Sequence, residues 1–135
     1  MASSGSDFPV TASAGTLRDD HAARWTVPHH WTDAGVAVDG EGNGAAVLHL
    51  SVALCVLNDV FREAEAMGVP VSGVRVSARG AFDTESWVSR GIVYAVDVDS
   101  SASPEEVAKV LDLVDEVAEV PRALRAGVDV ERAHE

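Results

Sequence analysis

The chain has one cysteine among its 135 residues, Cys55. No internal disulfide can form, so the core rather than covalent bridges must hold the fold. Positive charge is also scarce, with 10 basic against 22 acidic side chains and a net charge of −12. The arginines are scattered, which leaves no concentrated basic patch; neither nucleic acid nor an anionic membrane is expected as a partner. The opening "MASSGSDFPV" lacks the basic start and apolar centre of a signal peptide. No apolar run reaches the ~20 residues of a membrane span without an interrupting His, Ser, Asn or Asp. A phosphate-binding loop is missing too, because the glycine-rich "DGEGNG" carries no lysine, and there is no Gly-x-Ser-x-Gly elbow. These absences lead to an expectation of a cytoplasmic, reducing setting and no cofactor.

What is present is a globular composition, 47% apolar, at the length of a single domain. Residues 1–9 read as a disordered segment and 10–135 as one domain. Between Val10 and Val38 the β-rich pieces "TASAGTLR", "ARWTV" and "GVAVD" are separated by Gly15, Pro28 and Gly35, and read as short strands. From Ala45 a long apolar run begins. Val47, Leu50, Leu54, Leu57, Phe61 and Ala64 recur at helical spacing, while polar residues gather only after Asn58. The pattern predicts a helix enclosed by protein in its first half and amphipathic in its second. Gly68 would cap it and Pro70 prevent its continuation. At 1.5 Å per residue it spans roughly 34 Å, so it should be central.

Two strands follow. "VSGVRVSARG" sets Val74, Val76 and Ala78 against Arg75, Ser77 and Arg79, and "GIVYAVDVD" alternates likewise. Ser103 as N-cap, Pro104 and Glu106 open a second helix, with Val107, Val110, Leu111, Val114 and Val117 as its buried stripe. Pro121 marks its end or a kink, and "GVDVE" reads as a last short strand. The order is that of an α+β fold with a largely antiparallel sheet and helices on one face.

Cys55 can be read from these residues as packing or as a reactive thiol. It lies mid-helix, away from the N-terminal dipole, and Asp59 one turn on would raise its pKa. Asn58 and Asp59 are either ligand-binding groups or a solvated face. His49, about 120° around the helix from Cys55, is a buried core histidine or part of a pocket wall. Trp25, His29, His30 and Trp31, in "RWTVPHHW", either line a pocket or cover the central helix from a sheet edge. Adjacent histidines without a Cys or Asp/Glu motif make a poor metal site, and no metal is expected.

Four stretches together resemble the OsmC/Ohr superfamily: "GAAVLHLSVALCVLNDVF", "GVPVSGVRVSARGAFD", "DVDSSASPEEVAKVLDLVDEV" and "VPRALRAGVDVE". The resemblance implies an intertwined homodimer with two sites at the interface. It also implies a peroxidatic role for Cys55, with Arg18 favouring the thiolate. Two positions depart from the family pattern: the second cysteine would fall at Val120, and the family glutamate near Ala45. The expected activity is that of a single-cysteine peroxidase acting on hydrophobic organic hydroperoxides, with an external thiol as reductant. The alternative is the same fold reused, with a pocket that binds or transforms a hydrophobic small molecule by histidine acid–base chemistry. A structural dimer without catalysis is the third reading.

Overall fold

In the computed structural model, residues 7–21 and 23–133 are described. The chain runs β1 (Val10–Gly15), β2 (Trp25–Val27), β3 (Val36–Asp39), α1 (Gly44–Met67), β4 (Gly73–Arg79), β5 (Val93–Asp99), α2 (Pro104–Val117) and α3 (Glu119–Ala126). All strands pair antiparallel in one sheet of order β2-β3-β1-β4-β5. Alternation decides the faces: Val10, Ala12 and Ala14 of β1, Val36 and Val38 of β3, and Val74, Val76 and Ala78 of β4 all turn inward and are buried. The two alanines of β1 leave room for α1 to lie close against the sheet, where Ala46, Ala53, Val56, Leu57 and Val60 complete the core.

Asn43, which the sequence reading did not single out, caps α1 by accepting from the Ala46 amide at 2.9 Å; Gly68 closes the helix as expected, in the left-handed region at φ 71°. Ser103 accepts from the Glu106 amide to begin α2, with Pro104 in the first turn. α1 is long and apolar enough to cross a membrane by length and composition, yet 56% of its most apolar window is buried inside the chain. It is the core helix of this fold.

Three expectations need correction. "GVDVE" is not a strand: it is irregular and pairs with no described strand, with Val128 and Val130 exposed. Pro121 does not stop the helical region. The break is at Ala118, which turns extended (ψ 123°), and Pro121 sits in the first turn of α3, where its missing N–H removes no bond. The first half of α1 is not enclosed by its own chain, since Val47 is 47% exposed and Leu54 only half-buried. As for the N-terminal segment, residues 1–6 lie outside the described residues. Asp7 and Phe8 are held in place: Asp7 O accepts from the Gly80 amide, and the Phe8 ring meets Phe82 edge-on.

Candidate functional site

Cys55, Asp59 and Arg62 follow one another at intervals of four and three residues, so α1 presents them along one stripe. The α2–α3 break brings the first turn of α3 over that stripe. There the Cys55 Sγ stands 3.9 Å from Glu119 Oε2. Arg62 links the rest: its guanidinium lies 3.1 Å from Asp59 Oδ2, 3.4 Å from Glu119 Oε1 and 2.9 Å from Glu63 Oε2. Asn58 donates to Asp59 Oδ1 at 3.2 Å.

Electrostatics here pull in opposite directions. Burial pushes the Cys55 thiol above its ordinary value, and the Asp59 and Glu119 charges push the same way, while the backbone amides of Val120 and Glu119 favour the thiolate. Burial likewise raises Asp59, against the hydrogen bond from Asn58 and the charge of Arg62. The ligand atoms of Cys55, Asp59 and Glu119 lie within 4.8 Å of one another, a donor set a metal ion could use. Arg62 already supplies a positive charge between the two carboxylates. The sequence reading weighed metal only at His29 and His30 and could not see this cluster, because Glu119 is remote in the chain.

Beside the cluster is a cavity of about 300 Å³ lined by Leu48, Val52, Ser89, Gly91, Ile92, Tyr94, Pro121, Leu124 and Arg125. Leu48 and Val52 precede Cys55 on the same stripe of α1. Pro121 follows Val120, whose amide faces the sulfur. At the rim the Tyr94 hydroxyl donates to Asp115 Oδ1, and Arg125 donates to the same carboxylate at 2.9 Å. Burial and that carboxylate push the Tyr94 phenol up to about 12. The walls are apolar, which suits a hydrocarbon group.

The other residues singled out in the sequence lie elsewhere. Arg18 donates to Thr26 Oγ1 at 3.0 Å and pairs with Asp20, with no contact to Cys55 within the chain. Trp25 lies on edge strand β2, opposite Val38. His29 rests edge-on against Phe61, with ring centroids 5.3 Å apart, and its Nδ1 is 2.8 Å from Thr32 Oγ1. Burial, then the neighbouring His30, lower its pKa. Trp31 meets the rings of both His29 and His30. This group therefore meets the C-terminal half of α1, beyond the thiol. His49 is fully buried, donates from Nδ1 to Phe8 O at 3.0 Å and stacks on Phe82. Of the predicted residues, then, the fold gathers Cys55, Asn58 and Asp59. Arg62 and Glu119 were missed. Arg62 carried a legible signal in its helical spacing from Cys55; Glu119 carried none beyond its place next to Val120.

The family model described as OsmC-like protein matches residues 39–132, more than half of the chain. Among solved structures, the OsmC-like protein from Mycoplasma pneumoniae is similar with a TM-score of 0.58 at 19% identity, over 86% of this chain and 85% of that one. An OsmC-like hydroperoxide resistance protein from Jannaschia sp. CCS1 is similar with a TM-score of 0.53 at 11% identity, over 95% and 92%. No curated protein matches. The α+β architecture, the antiparallel sheet and the family-model match agree: the chain belongs to the OsmC-like protein family.

Proposed function

We propose that the protein is a single-cysteine thiol peroxidase for hydrophobic organic hydroperoxides. The observation that carries this reading is the position of Cys55. Its sulfur faces the amides at the start of α3, and a largely apolar cavity of about 300 Å³ is lined by Leu48 and Val52 of the same α1 stripe and by Pro121 of α3. The hydrocarbon part of a substrate would occupy the cavity and present the peroxide to sulfur. Attack forms the sulfenic acid and releases the alcohol. Val120 stands where a second cysteine would resolve that acid, so an external thiol must reduce it. A reducing cytoplasm suits such a cycle.

A second copy of the chain belongs to the proposal. Val47 is 47% exposed, and Ser51, Leu54 and Asn58 continue from it at helical spacing as a half-buried row. A homodimer packed through α1 would cover this row and bring further residues, Arg18 among the candidates, towards the site. The histidine-based alternative has less to stand on. His49 spends its Nδ1 on Phe8, and His29 and His30 lie at Phe61 and Trp31 rather than along the cavity.

The test is intact mass after brief exposure to cumene hydroperoxide or to hydrogen peroxide, with a sulfenate trap present. A trapped adduct that forms faster with the organic peroxide and is lost in Cys55→Ser is expected. Reaction no faster than that of an ordinary thiol would overturn the reading. Ligand binding that survives Cys55→Ser would then favour a reused pocket.

A further inference from the structure

A half-buried thiol flanked by carboxylates needs somewhere to send its proton. Glu119 is arranged to take it. Arg62 holds Oε1 of Glu119, with Nη1 and Nη2 at 3.5 and 3.4 Å, and this leaves Oε2 as the oxygen that faces Cys55 Sγ at 3.9 Å. We propose that Glu119 is the acid–base residue of the Cys55 reaction and that Arg62 is its positioning residue. The inference rests on the peroxidase reading above and adds to it a group that lies outside the family positions identified in the sequence.

The step balances without a further reactant. The Cys55 S–H proton passes to Glu119 Oε2. Sulfur then attacks the distal peroxide oxygen; an S–O bond forms and the O–O bond breaks. The departing alkoxide takes the proton back from Glu119 and leaves as the alcohol, with Cys55 as sulfenic acid and Glu119 again a carboxylate. One thiol and one hydroperoxide give one sulfenic acid and one alcohol.

Asp59 is the other carboxylate at the sulfur, and its geometry is wrong for the task. It is fully buried, with Asn58 donating to Oδ1; Oδ2 lies 3.1 Å from the Arg62 guanidinium but accepts no hydrogen bond, and its burial keeps it from exchanging a proton with water. Glu119 has a side chain 67% exposed, so that Oε2 can exchange its proton with water while Arg62 holds Oε1. The charged groups facing the thiol are thus Asp59 from α1 and Glu119 from α3, with Arg62 between the two carboxylates and Glu63 holding Arg62 from the side.

Two reactions of Cys55 separate this role from that of a mere neighbour. Alkylation by iodoacetamide across pH reports the thiolate without any peroxide chemistry. Sulfenic acid formation from cumene hydroperoxide reports the full step. In Glu119→Gln a negative charge leaves the neighbourhood, so the alkylation profile moves to lower pH. The peroxide reaction at neutral pH is nevertheless expected to slow by about tenfold or more, because the proton has lost its acceptor and donor. Arg62→Met should slow the peroxide step and Arg62→Lys restore most of it, with circular dichroism confirming that the variants fold. Should Glu119→Gln accelerate both reactions together, Glu119 is only an electrostatic neighbour and the inference is wrong, while the peroxidase reading stands. A wild-type protein no faster than a free thiol would overturn both.

Discussion

Glu119 Oε2 lies 3.9 Å from Cys55 Sγ although 64 positions separate the two residues. The contact exists because α2 stops at Ala118 and the chain restarts as α3 directly over the α1 stripe. A thiol that looks isolated in the sequence therefore sits among two carboxylates, a guanidinium and two backbone amides. Their balance, rather than the cysteine alone, determines what the site can do.

The first consequence concerns stability and pH. Burial holds the native Cys55 pKa above the unfolded value, so folding favours the neutral thiol. The associated stability is fully present below the unfolded pKa and is lost as pH rises through the native one. Urea denaturation at stepped alkaline pH should show a decline that is shallower in Cys55→Ser. Equal slopes would mean that the thiol ionises alike in both states.

Asp59 gives the same sign in a lower window. Its carboxyl is also held above its unfolded value, mainly by burial. Its contribution to stability is present in acid and lost as pH rises through the native pKa. Asp59→Asn, which imitates the protonated form, should therefore raise Tm at neutral pH, and the gain should vanish in acid. A loss of stability at neutral pH would instead show that the pairing with Arg62 outweighs desolvation.

Tyr94 is the only tyrosine in the chain, so absorbance at alkaline pH reads it alone. With the phenol pushed up to about 12, phenolate should appear well above the range of a free tyrosine. Tyr94→Phe removes the donor to Asp115 and should cost about 1 kcal/mol. Ordinary titration near 10 would mean that the Tyr94–Asp115 bond does not persist in solution.

Much of the architecture was legible because local signals and burial pattern agree. Gly68 and Ser103 mark helix ends through bonds made within a few residues, and Pro104 through its fixed φ. The alternation read in β4 matches its buried face, whereas in β1 and β3 Ser13 and Ala37 of the other face are buried as well. Where partners are distant the sequence is less informative. "GVDVE" has strand composition, but among the described residues it pairs with neither edge of the sheet, β2 or β5. The apolar start of α1 implied enclosure without saying by what. In the site, Cys55, Asn58 and Asp59 are neighbours on one helix and could be read together. The family pattern directed attention to Arg18, which is engaged by Thr26 and Asp20, and away from Arg62.

The exposed row of α1 leads to a prediction on assembly. Val47→Glu places a charge on a residue that is 47% exposed in the single chain, a change worth at most about 0.5 kcal/mol to an isolated subunit. At a helix-to-helix dimer interface the same charge would lose its hydration without a partner. Sedimentation should give twice the chain mass for the wild type and a shift towards the single-chain mass for Val47→Glu, with unchanged circular dichroism. A wild type that already sediments as one chain would remove the dimer from the proposal.

The cavity beside Cys55 permits a test of substrate size. Leu124 lines it from α3 and is only partly buried, so a larger side chain there can enter the cavity without rebuilding the core. Leu124→Trp should narrow the space available to a hydrocarbon group while leaving the sulfur open to a small oxidant. Sulfenic acid formation from cumene hydroperoxide is expected to fall about tenfold, in line with what shape exclusion in an apolar pocket can achieve. The rate with hydrogen peroxide should be unchanged. A parallel fall in both would point to a displaced α3 and a disturbed Glu119, which the iodoacetamide profile would register. If neither rate moves, the hydrocarbon part of the substrate does not use this cavity, and the row exposed along α1 becomes the surface against which it must pack.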